Sequence, residues 1–283
     1  MANSLKFSTF PPNNSLNKNA IPIVLIHGWG LNSGVWQPLL KLFSESENSN
    51  FQLITVDLPG FGINSAVDIK PYTLANICHQ LELVIEQPAI YLGWSLGGLI
   101  ATEMSLKYPE KVLALVTVAS SPYFVEQQKN DWPGIKENVL ASFHSQLAQD
   151  TAKTITGFLK IQAMGSPLIR QDLKLISKLV MAHALPSQKT LTDSLALLSH
   201  CDLRQKLPNI QQPFLRLYGQ NDSLVPKTVI DKINRLAPQS DLHLFDHASH
   251  APFISHLDNF YQVLITWLNS HFNENNTELT PKK

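Results

Sequence analysis

Gly93-Trp94-Ser95-Leu96-Gly97 constrains this chain more than any other segment. It stands between an apolar run, Ala89-Ile90-Tyr91-Leu92, and a stretch with helical spacing, Leu99 to Lys107. A G-x-S-x-G match alone is common and often marks only a glycine-rich turn. Between a strand and a helix it means more: the chain must turn so sharply that the central residue is strained, and the glycines let the two elements pass without Cβ clashes. That geometry lifts Ser95 above the edge of a sheet as a candidate nucleophile.

The rest of the chain has the rhythm such a turn needs. Short apolar runs rich in β-branched residues recur at Ile23 to Ile26, Leu53 to Val56, Ala89 to Leu92, Ala114 to Val118, Phe214 to Tyr218 and Leu242 to Phe245. Their apolarity is continuous, as in strands covered on both faces, and helical patterns such as Leu74 to Glu86 lie between them. Right-handed β-α crossovers turn this order into a doubly wound, mostly parallel α/β sheet. The rhythm stops after Ser120-Ser121-Pro122 and resumes near Pro213. The expected organisation is a core over 21–122 and 201–270, a helical cap inserted at 123–200, a polar extension at 1–20 and a polar tail at 271–283.

Composition narrows the possible partners. Twenty-two basic residues balance twenty-two acidic ones, so no global field favours nucleic acid or an anionic membrane. Cys78 and Cys201 form no metal or redox spacing, which suits a reducing compartment with buried free thiols. Residues 1–20 lack the apolar stretch of a secretory signal, and no apolar run approaches the roughly 18 residues of a membrane helix. The expectation is a cytoplasmic monomer that uses no cofactor and no metal.

A serine hydroxyl needs a base to take its proton and an acid to orient that base, in the chain order serine, acid, histidine for this architecture. Asp222 follows the run Phe214 to Tyr218 and is the expected acid, although a turn aspartate by itself is more often only solvated. Asp202 is a weaker candidate because it precedes that run. His250, in a loop pinned by Pro252, is the expected base, with His247 as its rival; His243 and His256 read as surface or structural histidines. Two backbone N–H groups must hold the oxyanion, and those of Leu96 and of Trp29, in the loop His27-Gly28-Trp29-Gly30, are the natural donors. His27 reads as a structural hydrogen-bonder, while Trp29 and Trp94 read as pocket walls or core aromatics. Asp57-Leu58-Pro59-Gly60-Phe61-Gly62 lacks the pattern of a phosphate loop and reads as a turn.

In the cap, Lys153, Lys160, Arg170, Lys174 and Lys178 face only Asp172 across residues 151–180. Arg170, Lys174 and Lys178 share one helical face. Such a stripe is commonly just solvated; the sharper reading is a docking patch for an acidic protein.

With these residues placed, the chain resembles the α/β-hydrolases, and among them the pimeloyl-acyl-carrier-protein methyl ester esterases. The likeness runs from Ile23 to His256 and includes His27-Gly28-Trp29-Gly30-Leu31-Asn32, Leu92-Gly93-Trp94-Ser95-Leu96-Gly97-Gly98, and His250-Ala251-Pro252-Phe253-Ile254-Ser255-His256. More telling are two cap segments, Asp131-Trp132-Pro133-Gly134-Ile135-Lys136 and Phe158-Leu159-Lys160-Ile161-Gln162. The resemblance implies hydrolysis of a methyl ester on a pimeloyl chain borne by acyl carrier protein, a step of biotin synthesis. It implies Ser95, Asp222 and His250 as triad, Trp29 and Leu96 as oxyanion and substrate contacts, and Phe158, Leu159, Lys160, Ile161 and Gln162 as the wall along the acyl chain. Relatives carry arginines at several basic cap positions, where this chain has Arg170 but also Lys153, Gly157 and Lys174; lysine keeps the charge without the bidentate fork. A general carboxylesterase, a carbon–carbon bond hydrolase and a hydrolase-derived receptor are the alternatives that use the same fold.

Overall fold

The computed structural model describes residues 4–12, 20–46, 50–180 and 185–272. Seven strands form one sheet in the order β1-β3-β2-β4-β5-β6-β7. They are β1 (Phe7–Phe10), β2 (Ile21–Ile26), β3 (Phe51–Val56), β4 (Ala89–Trp94), β5 (Val112–Val118), β6 (Phe214–Gly219) and β7 (Asp241–Phe245). All neighbours pair in parallel except β1 with β3, which is antiparallel. The continuous apolarity of the central strands has the expected cause: every residue of β4 and β6 is buried, because helices cover both faces.

The helices α1 (Gln37–Glu45), α2 (Leu74–Val84) and α3 (Leu96–Lys107) follow β2, β3 and β4. Four more, α4 (Glu137–Gln149), α5 (Thr151–Ala163), α6 (Ile169–Val180) and α7 (Gln188–His200), lie between β5 and β6, and α8 (Ile230–Leu236), α9 (Pro252–Ser255) and α10 (Leu257–Phe272) complete the chain. Side-chain caps mark several starts: Thr73, Asp150 and Ser187 accept from the backbone N–H three residues on. In α4, Leu140, Phe143 and Leu147 make one buried side, as their spacing predicts.

Two boundaries differ from the sequence reading. Strand β1 lies inside the segment read as a polar extension; it has four residues and is exposed along most of its length, so it buries too little to stand out in composition. Residues around it are nonetheless fixed, since Lys6 donates its N–H to the Asn64 side chain at 2.8 Å and accepts from it at 2.9 Å. At the other end α10 continues to Phe272, so the first two residues read as tail are helical; positions 273–283 lie outside the described residues. No helix among the described residues is long and apolar enough to cross a membrane.

Candidate active site

The turn from β4 into α3 has the strained form that its sequence predicts. Ser95 takes φ 55° and ψ −117°, a conformation that costs a residue with a Cβ about 1–3 kcal/mol. It is held there from both sides: its N–H donates to Val118 O at 2.9 Å, and the Ser120 hydroxyl donates to its carbonyl at 2.8 Å. Gly93 and Gly97 are required by close approach, since a Cβ on Gly93 would stand 2.1 Å from Gly97 O and one on Gly97 2.3 Å from Ile26 O.

The expected acid and base lie in the loops that follow β6 and β7. Asp222 Oδ1 accepts the N–H groups of Leu224 (2.8 Å) and Val225 (3.0 Å), which leaves Oδ2 for His250 Nδ1 at 2.7 Å. The two loops are joined by backbone as well: Gln220 N–H donates to Phe245 O at 3.0 Å and Asn221 N–H to Ala248 O at 2.8 Å. Both side chains are buried. The carboxylate partner places the imidazole proton on Nδ1. Nε2 is left as a buried acceptor with no partner among the described residues.

Trp94 ties the loop of His250 to the turn that carries Ser95. Its indole N–H donates to His250 O at 2.7 Å, and it is the residue immediately before Ser95. No hydrogen bond yet joins Ser95 Oγ to Nε2, a contact that often tightens only when substrate binds. The loop after β2 flanks the same point, for a Cβ on Gly28 would stand 3.3 Å from Ser95 Cβ. Leu96 is the first residue of α3, so its N–H has no acceptor within the helix, and the Trp29 N–H enters none of the turn, loop or cap hydrogen bonds. Both amides are available to an oxyanion.

His27 is structural, as expected. Nδ1 bonds to Gly28 O at 2.8 Å and Nε2 accepts Leu58 N–H at 3.0 Å, and burial holds its pKa below the usual 6.5 despite the opposing pull of Asp57. His247 and Asp202 stand apart from the site: both are exposed, and Asp202 pairs with Arg204. His243 packs on Phe245 and His256 bonds to the Ser255 hydroxyl.

The α4–α7 insertion closes over these groups. Trp29 packs edge-on against Phe158 at 4.7 Å and its indole N–H donates to Leu191 O at 3.0 Å. Phe158, Leu159 and Gln162 are buried on one side of α5 and Ile161 is half-buried, but helical spacing turns Lys160 to solvent, so the structure does not bring it to the wall. Gln162 is fully buried and neither its amide nitrogen nor its amide oxygen has a partner among the described residues. A buried, unpaired side-chain amide is unusual away from a ligand site. Lys153, Arg170, Lys174 and Lys178 are all exposed, on the outer surfaces of α5 and α6.

Four contacts were not legible in the sequence. The Ser249 hydroxyl reaches Gln162 O (2.8 Å) and Met164 O (2.6 Å), Asn32 Nδ2 donates to Val180 O (2.9 Å), and Ser120 holds Ser95. Each joins segments far apart in the chain, so no local pattern signals it.

Residues 21–257 match the model of the alpha/beta hydrolase fold family. The chain belongs to that family. Solved structures agree in fold at low identity. An esterase from Exiguobacterium antarcticum superposes with a TM-score of 0.80 at 21% identity, covering 94% of this chain and 95% of that one. A bromoperoxidase from Bacillus anthracis gives 0.79 at 21%, covering 94% and 95%, and an enol-lactonase from Burkholderia xenovorans LB400 gives 0.77 at 16%, covering 94% and 96%. Proteins of such different activities share this α/β-hydrolase architecture, so chemistry must be argued from the site itself.

Proposed function

We propose that the protein is a serine carboxylesterase that hydrolyses the methyl ester of a pimeloyl chain carried on acyl carrier protein. One observation carries the esterase reading: a buried imidazole with Nδ1 on a carboxylate and Nε2 free, gripped by the residue before a strained serine. In this mechanism Ser95 Oγ attacks the ester carbonyl while Nε2 of His250 takes its proton. The N–H groups of Trp29 and Leu96 hold the oxyanion, a contribution commonly worth several kcal/mol of barrier. The imidazolium then protonates the departing methoxide, methanol leaves, and water hydrolyses the acyl-enzyme by the same proton path. The Asp222 carboxylate fixes the tautomer and stabilises the imidazolium.

Support for the substrate comes from the helical insertion. Its segments Asp131 to Lys136 and Phe158 to Gln162 are similar to those of the carrier-linked esterases. The unpaired Gln162 amide supplies both a donor and an acceptor to a polar group on a substrate otherwise lined by Phe158 and Leu159. Lys153, Arg170, Lys174 and Lys178 form no ion pair among the described residues, and the exposed Met164 and Leu168 lie between their helices. A basic surface around apolar anchors suits an acidic carrier.

The test compares kcat/KM for pimeloyl-carrier methyl ester with that for short p-nitrophenyl esters, in the wild type and in Arg170→Glu/Lys174→Glu. The expected result is a preference for the carrier-bound ester that the double variant loses, with p-nitrophenyl turnover unchanged. Equal efficiency on both, unaffected by charge reversal, overturns the carrier reading and leaves a general carboxylesterase. Absence of turnover on any ester, with the ligand still bound, favours the receptor.

A further inference from the structure

Arg216, on β6, is 1% exposed, yet no carboxylate lies within ion-pair distance of it among the described residues. Its partners are neutral: Nε donates to Ser240 Oγ at 2.8 Å and Nη2 to Asn234 Oδ1 at 2.5 Å. Nη1 is buried and has no partner. A guanidinium cannot discharge itself by losing a proton, so the positive charge persists inside the protein. Tyr218 is a titratable neighbour, with its ring centroid 6.0 Å from the guanidinium carbon. Burial drives its pKa upward more than Arg216 draws it down, so it remains a neutral phenol and supplies no counter-charge.

A small cavity opens beside this charge, lined by Arg216, Tyr218, Thr102, Thr117, Ser120 and Ser121 among others. The space left for a water-sized sphere is about 10 Å³, room for one water or one monatomic ion. Its polar groups divide into two sets. Thr102, Ser120 and Ser121 already donate their hydroxyl protons to Gly98 O, Ser95 O and Tyr123 O at 2.7–2.8 Å. The hydroxyls of Thr117 and Tyr218, which line the cavity, donate to no protein acceptor among the described residues; the Arg216 guanidinium stands close enough to hydrogen-bond the Tyr218 oxygen, and Nη1 has no other partner there. The cavity therefore offers several free donors around an uncompensated cation.

We infer that this cavity is a site for a small monovalent anion of the halide class, held by Arg216 Nη1 and the hydroxyls of Thr117 and Tyr218. A water would answer the hydrogen bonds but leave the charge unbalanced; a halide answers both. Sulfate and phosphate exceed the space. The site lies directly beneath the proposed nucleophile's backbone, because Ser120 lines it and also holds the Ser95 carbonyl at 2.8 Å. Anion occupancy stabilises the layer under the elbow without touching substrate.

The test has two arms. Crystals grown without chloride and soaked in bromide should show an anomalous peak within hydrogen-bonding distance of Arg216 Nη1. In solution, replacing gluconate by chloride or bromide at constant ionic strength should raise Tm saturably, and Arg216→Met should abolish that rise. Because Arg216→Met removes a buried charge and can fail to fold for that reason, Thr117→Val is the second variant: it keeps the shape, and its halide-dependent shift should be markedly smaller. A water-height peak with no anomalous signal at Nη1, or a Tm response identical in wild type and Thr117→Val, overturns the site.

Discussion

The carbonyl oxygen of Gln162, in α5, accepts the backbone N–H of His250 at 3.2 Å and the hydroxyl of the preceding Ser249 at 2.8 Å. A helix of the insertion thus fixes the loop that carries the proposed base. Ser249→Ala removes the side-chain half of this link, together with the bond to Met164 O. The expected cost is about 1–3 kcal/mol of stability, because buried carbonyls lose a donor. In ester-hydrolysis assays kcat should fall more than KM rises, since the base is loosened while the acyl wall remains. Thermal denaturation alongside steady-state kinetics checks both parts.

Asp222 orients His250 through one oxygen while two backbone amides hold the other. In Asp222→Asn the contact survives in shape, but the amide can present its N–H to Nδ1 and favour the wrong tautomer. The expected loss in kcat is about 10⁴-fold with little change in Tm, by analogy with the serine-protease case in which an aspartate-to-asparagine change has this effect. Ser95→Ala should abolish covalent labelling by a fluorophosphonate, read as loss of the phosphonyl mass adduct.

Gln162 is buried with its amide unpaired among the described residues, a cost that a substrate bound as proposed would recover. Gln162→Leu should therefore stabilise the unliganded protein by about 1 kcal/mol while raising KM for the proposed substrate. Opposite signs in Tm and in KM are the diagnostic result; destabilisation together with unchanged KM would remove Gln162 from the binding surface.

His27 sets a limit on acid stability. In the fold Nε2 accepts the Leu58 N–H, and burial keeps the ring neutral below its usual 6.5. Below pH 6.5 the unfolded chain takes up a proton that the native ring refuses, so this contribution is intact above that pH and declines as pH falls toward the lowered native value. The Tm-versus-pH curve of His27→Gln should have a shallower slope between pH 6.5 and 5 than the wild type.

The elbow was legible because its constraints are local: the glycines, the strand and the helix are contiguous, and the observed φ of 55° at Ser95 is what that pattern demands. The parallel strands were legible from their unbroken apolarity, and of the two histidines weighed as base it is His250 that the fold sets against Asp222. Strand β1 escaped because edge pairing with β3 is made by backbone hydrogen bonds, to which composition is blind. Lys160 was drawn into the acyl wall by a contiguous motif, although alternate sides of a helix face different surroundings. Arg216 carried no signal at all, since its lack of a carboxylate depends on Asn234 and Ser240 arriving from β6's later neighbours.

Ser95 is only 2% exposed, and His250 and Trp29 are wholly buried. If Ser95 is the nucleophile proposed above, a covalent reagent can reach it only when this cover opens. The speed with which a reactive phosphonate tags Ser95 then becomes a clock for how often the roof lifts, readable without any knowledge of the natural ester.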